Sequence, residues 1–507
     1  MLLTDLLKEL PRARLLGPAG VRVDAVSQDS RLVRPGAVFV AVPGFKTDGH
    51  RFLRQAVAAG ASAIAVQADH EAQWAAIAGE AALPVLVLED ARAALPRIAA
   101  AVYGHPARRL RVIGVTGTDG KTSFAHLMCH VLTAAGEKAG LISTAECRIG
   151  AALLPDTGRF TTPEAPQVQA MLSQMVQAGC RWAVVEATSH GLALHRVDEC
   201  EYDIAVLTNL GLDHIDFHGT PQDYSAAKGR LFQMLDESVD KGLPKTAVLN
   251  ADDPAHAYFG GLTSARRVTY AVERDADVRG DDLVTAGWST RFHLLTAAGS
   301  ARVRLPRPGD FNVYNALAAA AAGLAAGLDL PSITAALESW PGAPGRMQLV
   351  DAGQPFTVVV DFAHAPDSLR RVLGLLRQLS RGRLVAVFGC IGERDKDRRL
   401  AMGRVAAQMA DYTIVTDDNP YSEDRDVILR EIAAGLRAGG RREGHDFAVV
   451  PDRREAIAQA LAMAVDEDVV LLAGKGHEIE VHLADGPYPC DDAEVARRVL
   501  RDLQRGA

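Results

Sequence analysis

The chain has 507 residues, 48% of them hydrophobic and 5% aromatic, with a formal net charge of −8. That length accommodates about three domains, and the acidic balance argues against a nucleic-acid face, which needs clustered basic charge. No apolar run approaches the ~20 residues of a membrane span. The six cysteines are scattered without a C-x-x-C pair, which argues against a disulfide scaffold or a zinc site and for buried thiols in a reducing compartment.

The first segment, MLLTDLLKELPRARLL, mixes acids and bases among leucines. It reads as an amphipathic helix, not a signal peptide, and points to a cytoplasmic protein. AVFVAV (37–42), SAIAV (62–66) and VLVLE (85–89) read as strands, with helices over 51–60 and about 91–103. GHPARR then reads as a linker. A second alternating series starts at LRVIGV (110–115), and Pro-Gly steps in SWPGAPGRM (339–347) interrupt it. TVVVDF, LVAVFG, YTIVT and VVLLAG are the strands beyond. Nearly continuous apolar strands alternating with helices indicate parallel sheets covered on both faces. The expectation is an α/β chain of three domains, 1–106, 107–345 and 346–507, the central sheet of P-loop ATPase type and the last Rossmann-like.

GVTGTDGKTS (114–123) follows a strand and opens a helix. A glycine-rich turn there lets backbone N–H groups converge on phosphate oxygens at a positive helix end. The literal P-loop pattern needs glycine at 115 and finds Val115; the spacing is Gly117-x-x-Gly120-Lys121-Thr122. Lys121 would reach the phosphates and Thr122 would bind Mg²⁺. Ligation, phosphoryl transfer and hydrolysis coupled to motion all remain open from this loop alone.

WAVVEATSH (182–190) is an apolar strand ending in Glu186, a carboxylate suited to Mg²⁺ at a strand's C-terminal edge. LDHIDFHG (212–219) follows another strand, and His214, next to that strand, reads as a metal ligand; Asp216 and His218 read equally well as solvated loop residues. Lys228 lies in YSAAKGRLF (224–232) and, taken alone, reads as a surface lysine.

These segments, with PGDFNVYNALAA, PGRM, DFAHAPDSL, GERDKDRR, DDNPY and GKGHE, resemble the Mur ligases in order and spacing along the whole chain. The family joins amino acids to peptidoglycan precursors with ATP. The last three motifs resemble those of members that add the third amino acid to UDP-N-acetylmuramoyl-L-alanyl-D-glutamate through an acyl phosphate. The resemblance implies that Gly117, Thr118, Asp119, Gly120, Lys121, Thr122 and Ser123 hold ATP, with Asn312, Arg346, Asp361 and His364 completing that site. Thr122, Glu186, His214 and Lys228 would hold magnesium, Lys228 after carbamoylation by CO₂. Thr161, Thr162, Thr188, Ser189 and Arg196 would hold the muramoyl-peptide, and Ser30, Gly44, Phe45 and Lys46 its uridine end. Arg399, Asp418, Asn419, Tyr421, Gly474 and Glu478 would hold the amino acid. Asp119, Thr188 and Leu194 stand where asparagine, serine and glutamine are common. The expected partners are small molecules, with no nucleic acid and no membrane, and the expected state is a monomer.

Tyr421 bears on the amine. In diaminopimelate-adding relatives the loop commonly reads DNPR, and the arginine pairs with the distal carboxylate. Tyrosine carries no such charge, so L-lysine or L-ornithine is expected rather than meso-diaminopimelate, with Asp417, Asp418, Glu423 and Glu478 able to meet a cationic side chain and Arg399 available for the α-carboxylate. Arg394 or Arg398 could restore the missing charge. A folylpolyglutamate-type ligase and a P-loop ATPase driving a partner protein are the alternatives; the GKGHE and DDNP motifs argue against the former, and the dense C-terminal match argues against the latter.

Overall fold

The computed structural model describes residues 1–506 apart from Lys46, 155–161, Leu212, Arg394 and Asp395. Two compact units form: 1–283, 292–304 and 311–340 make the first, and 284–291, 305–310 and 341–507 the second. Among the described residues no helix is long and apolar enough to cross a membrane. All six cysteines are free and buried.

The first unit opens on a five-stranded sheet in the order Arg14–Leu16, Val85–Leu88, Ala63–Gln67, Ala37–Val40, Ala25–Ser27. Only its first strand is antiparallel to its neighbour. Ala37–Val40 and Val85–Leu88 are buried at every position, as strands covered on both faces must be. The helix expected at 51–60 enters through a 3-10 turn, Gly49–Phe52, capped by Asp48, before the α-helix Leu53–Ala58. His50 donates from Nδ1 to Asp48 at 2.7 Å and accepts the Gln67 N–H on Nε2 at 3.0 Å. Both ring nitrogens are therefore spent on the fold, although Asp48, His50 and His70 cluster closely enough to suggest a metal site.

GHPARR is a tether rather than a loose linker. Pro106–Arg109 forms a 3-10 turn, Ala107 is buried in the next hydrophobic core, and Arg108 meets Glu201 at 3.1 Å. Beyond it seven parallel strands run in the order Ala139–Ile142, Trp182–Glu186, Arg111–Thr116, Ile204–Leu207, Thr246–Asn250, Arg266–Ala271, Val278–Ala286 within an eleven-stranded sheet. Arg111–Thr116 lies between Trp182–Glu186 and Ile204–Leu207, so three loops leave adjacent carboxyl ends, where open α/β sheets bind their ligands.

In the second unit Gln348–Leu349 pairs antiparallel with Thr357–Asp361. Val469–Ala473, Leu384–Phe388, Tyr412–Val415 and Phe447–Val449 then follow in parallel. Arg453 ties this unit together from a fully buried position. Its guanidinium forms a fork on Asp492 at 2.7 and 2.6 Å and donates to the Asp417 and Ala473 carbonyls at 3.0 and 2.9 Å. Breaking a buried pair strands a charge without a partner, at a cost of about 3–5 kcal/mol. Asp492→Ala is expected to lose stability on that scale in urea titration; an unchanged midpoint would contradict the role given to the pair.

Candidate active site

The phosphate loop is held in place from behind. Gly117 has φ 151° and Gly120 φ 86°, the latter starting the helix Lys121–Ala134. A Cβ at Gly117 would stand 1.8 Å from Thr208 Oγ1, so only glycine allows this approach. Thr208 Oγ1 donates to the Asp119 carbonyl at 2.6 Å. Asn209 accepts the Thr118 N–H on its carbonyl at 2.9 Å and the Asp119 N–H on Oδ1 at 3.0 Å. The Thr118 hydroxyl lies 3.0 Å from that of Tyr224. Sequence reasoning assigned none of Thr208, Asn209 and Tyr224 a role; the TNLG motif was the signal for the first two and the YSAAK segment for Tyr224.

Lys121 folds back on its own loop, donating to the Gly117 and Thr118 carbonyls at 3.0 and 2.8 Å. Thr122 Oγ1 lies 3.1 Å from both oxygens of Glu186, whose carboxylate also accepts the Thr144 N–H at 2.9 Å. A buried carboxylate beside a hydroxyl is a set of hard oxygen donors, which suits Mg²⁺. Ser123, half-buried, follows in the same helical turn, and Asn312 is buried near the start of the helix Asp310–Ala325.

Lys228 is not the surface lysine that its sequence surroundings suggested: it is 1% exposed. The helix Pro221–Glu237 buries Tyr224, Ala227, Lys228, Leu231 and Leu235, one face at three- and four-residue spacing. Lys228 Nζ donates to the Gly117 carbonyl at 2.6 Å and sits 4.4 Å from the Tyr224 ring centre. Burial, and then the Lys121 ammonium, hold its proton affinity well below the ordinary lysine value.

His214 adopts a left-handed conformation, φ 53°, and leads into the helical turn Ile215–His218. Burial lowers its proton affinity, with Lys121 and Lys228 acting in the same sense and Asp213 opposing. Its ring meets that of His190 edge-on at 4.7 Å. His190 is pushed to about 4 by burial, then by His214 and His218. Phe217 lies 4.1 Å from His190 and 5.7 Å from Phe45, which projects from the N-terminal sheet's loop with 77% of its surface exposed.

The muramoyl-peptide candidates gather beside Glu186. Thr162 donates to the Glu186 carbonyl at 3.2 Å and its hydroxyl lies 2.9 Å from that of Thr188. Thr188 caps the short helix Ser189–Ala193 by accepting the Gly191 N–H at 3.0 Å, and Ser189 is buried. Arg196 donates to the Thr162 carbonyl at 3.2 Å and pairs with Glu164 at 2.7 Å. Ser30 donates to Gln55 at 2.9 Å, and the Gly44 N–H to the Thr47 carbonyl at 3.1 Å. Lys46 and Thr161 lie outside the described residues.

In the second unit the Arg346 guanidinium stacks 4.3 Å from the Phe362 ring centre, and His364 Nδ1 lies 2.8 Å from the Phe362 carbonyl. Asp361 accepts the Met347 and Ala363 N–H groups, both at 2.8 Å, while burial raises its carboxyl. Asn419 is fixed by Glu478 at 2.8 Å, by Lys475 at 3.2 Å and by the His482 N–H at 3.0 Å. Asp418 is buried near Lys475, 3.8 Å away, and burial raises it to about 6. Gly474, φ 104°, passes so close that a Cβ would lie 3.0 Å from Asp418 Oδ2.

Arg399, expected to meet a substrate carboxylate, is engaged with carboxylates of the protein itself. Arg399 is wholly buried, paired with Glu423 at 2.8 and 2.7 Å and with Glu431 at 2.7 Å. Glu423 is thereby engaged as well, and Asp417 is paired with Arg425. Arg394 lies outside the described residues.

Family models match three stretches: "Mur ligase family, catalytic domain" over 22–103, "Mur ligase middle domain" over 115–323, and "Mur ligase, glutamate ligase domain" over 345–476. A UDP-N-acetylmuramyl-tripeptide synthetase of Roseiflexus sp. (strain RS-1) is 45% identical over 100% of both chains. The chain belongs to the Mur ligase family. A UDP-N-acetylmuramoyl-L-alanyl-D-glutamate–2,6-diaminopimelate ligase of Bacillus licheniformis is 42% identical over 95% of each chain. A solved structure of a ligase of that description aligns with TM-score 0.65 and 32% identity, covering 95% of each chain.

The Arg399 fork makes one pH prediction. Its hydrogen bonds to Glu423 hold that carboxyl at about 2, below the ordinary 4.5. The folded value is depressed, so the stabilisation is complete above about pH 4.5 and fades as pH falls toward 2. The melting temperature of the native chain is expected to exceed that of Glu423→Gln at pH 6, with the gap closing between pH 4.5 and 2. A gap that stays constant over this range would rule out the ionised fork.

Proposed function

We propose that this chain is an ATP-dependent ligase that joins a diamino acid to the D-glutamate of UDP-N-acetylmuramoyl-L-alanyl-D-glutamate. The observation that carries the reading is the convergence of the phosphate loop, the Thr122–Glu186 pair and the buried amine of Lys228, in a chain whose full-length relatives bear the names of such ligases. Residues 1–106 would hold the uridine end, through Ser30 and Gly44 to Lys46; 107–345 would hold ATP and the peptide; 346–507 would hold the amine. The enzyme would work as a monomer in the cytoplasm.

A carboxylate is a poor acyl donor. Transfer of the ATP γ-phosphoryl group to it gives an acyl phosphate and ADP. The amine nitrogen then attacks the acyl carbon, the C–O bond to phosphate breaks, and the nitrogen loses a proton. The protein's task is to position the reactants and neutralise charge. Lys121 exchanges its loop carbonyls for phosphate oxygens, which accept the same hydrogen bonds with more charge. Arg196, already directed at a carbonyl and a carboxylate, is the cation for the peptide's acidic groups. Thr122, Glu186 and His214 would hold magnesium, which supplies further neutralisation of the transferred charge. A neutral, buried Lys228 amine is the form that reacts with CO₂, and the resulting carbamate would give that site the anion a second magnesium requires.

Tyr421 takes the motif position of the arginine that would face a distal carboxylate, and a lost charge-assisted contact is worth about 1.5–3 kcal/mol. The reading therefore favours L-lysine or L-ornithine. The second reading, meso-diaminopimelate, is favoured by the name of the 42% identical Bacillus relative.

Mass spectrometry of the product made from UDP-N-acetylmuramoyl-L-alanyl-D-glutamate, ATP and each amine tests the function. Product is expected with lysine or ornithine, and Tyr421→Arg should move kcat/KM toward meso-diaminopimelate. A native preference for meso-diaminopimelate of tenfold, about 1.4 kcal/mol, would reverse the amine assignment, and no product with any diamino acid would end the whole reading. For Lys228, ¹³C-bicarbonate is expected to give a carbamate NMR signal that Lys228→Ala lacks, together with near-complete loss of ligation. Full activity of Lys228→Ala in CO₂-depleted buffer would remove the carbamate.

A further inference from the structure

In the site as proposed, Ser30 and residues 44–46 take the uridine end of the nucleotide sugar, and Thr162, Thr188, Ser189 and Arg196 take its peptide. The dianionic diphosphate between the two ends has no cation of its own. We propose that Arg92 binds this diphosphate from the side of the N-terminal sheet. The inference rests on the reading that the chain's substrate is a UDP-linked sugar peptide.

The turn that follows the strand Ala37–Val40 is tight. Pro43 and Asp48 pair as an antiparallel bridge, and the Gly44 N–H donates to the Thr47 carbonyl at 3.1 Å. A Cβ at Gly44 would stand 2.4 Å from that carbonyl oxygen, so the turn closes only on glycine. Phe45 is carried outward on this turn, which accounts for its 77% exposure. Arg92 braces the base of the turn from the helix Ala91–Val102. Asp90 caps that helix by accepting the Arg92 and Ala93 N–H groups at 2.9 and 3.0 Å. The Arg92 guanidinium donates to the Pro43 carbonyl and sits 5.6 Å from the Phe45 ring centre.

The rest of this guanidinium is uncommitted. Arginine has five N–H donors; one meets Pro43, and among the described residues no carboxylate pairs with Arg92. A half-buried cation without a counter-ion favours an incoming anion. Arg196 feels the same charge. Burial lowers its proton affinity and Arg92 acts in the same sense, against Glu164. Arg196 is nine-tenths buried and already holds Glu164 at 2.7 Å. The two guanidiniums therefore oppose each other, with Glu164 engaged by Arg196 alone. A dianion near Arg92 removes that opposition, and a phosphate accepts two parallel bonds from a guanidinium. The placement fits the order of the substrate's parts. Arg92 touches the uridine turn through Pro43 and Phe45, and its charge reaches Arg196 at the peptide. The diphosphate lies between those parts in the substrate. Phe45, exposed beside Arg92, offers a ring to the base at one end of that diphosphate.

The test is inhibition of ligation by UDP and by uridine, each varied against the nucleotide-sugar dipeptide at saturating ATP and fixed free Mg²⁺. UDP carries the base and the diphosphate; uridine carries the base without phosphate. Arg92→Gln is expected to raise the KM of the nucleotide sugar and the inhibition constant of UDP at least tenfold. The inhibition constant of uridine and the KM values of ATP and the amine should stay within twofold. If Arg92→Gln melts below the assay temperature, Arg92→Lys takes its place. It keeps the charge without the two-pronged contact, and should weaken UDP threefold or more with uridine unchanged. Equal weakening of UDP and uridine would mean that Arg92 only shapes the 43–48 turn, and would overturn the proposal. An unchanged UDP constant in the variant, or a native chain that UDP inhibits no better than uridine, would overturn it too. Failure of the native chain to ligate any diamino acid to the nucleotide sugar would remove the function reading and this inference together; normal ligation with native UDP inhibition in Arg92→Gln would remove this inference alone.

Discussion

Two lysine amines converge on one backbone oxygen: Lys121 and Lys228 donate to the Gly117 carbonyl at 3.0 and 2.6 Å. Two ammonium groups directed at one carbonyl oppose each other's charge, the more so where water is excluded. On the buried side, burial and then the Lys121 charge lower the proton affinity of Lys228. An incoming phosphate or a carbamate would relieve the opposition by supplying negative charge. Other features of the site serve this point. Gly117 has no side chain because Thr208 must press against it. The helix Pro221–Glu237 turns an apolar face inward and carries Lys228 with it. The strand order puts Glu186 and the Thr208–Asn209 loop on either side.

The second unit solves its charge problems with arginines. Arg453 and Arg399 are both fully buried, and each forms a fork on a carboxylate. A guanidinium keeps its charge when buried, because its proton affinity is high and its donors match a carboxylate's two oxygens. These pairs therefore act as fixed braces, whereas a buried lysine is an adjustable group. The adjustable group lies where the proposed chemistry must receive and release charge.

Burial at the carboxyl ends explains why so many polar groups there act on one another. Thr122 faces Glu186, Thr162 faces Thr188, and Asn419 faces both Lys475 and Glu478. Such groups must be paired when water is absent. Each pair is also a set of donors or acceptors that a ligand can take over without leaving a polar atom unsatisfied.

What the sequence by itself determined is whatever is local along the chain. The alternation of apolar strands and helices and the glycine-loop-helix unit at 114–123 depend on neighbours a few residues away. The ordered motifs likewise lie in short segments that can be recognised one by one. Only the tertiary structure decided the states of Lys228, Arg399 and Thr208. The Lys228 amine meets the Gly117 carbonyl across 111 residues, and Arg399 meets Glu423 across 24. The helical spacing of Tyr224, Ala227, Leu231 and Leu235 did hint that Lys228 lies on a buried face, but a lysine among alanines reads first as solvated. Arg399 reads as a free cation because its carboxylate partners lie on other elements. A charge's protonation and availability depend on what packs against it, and packing between distant segments is set by the folded chain as a whole.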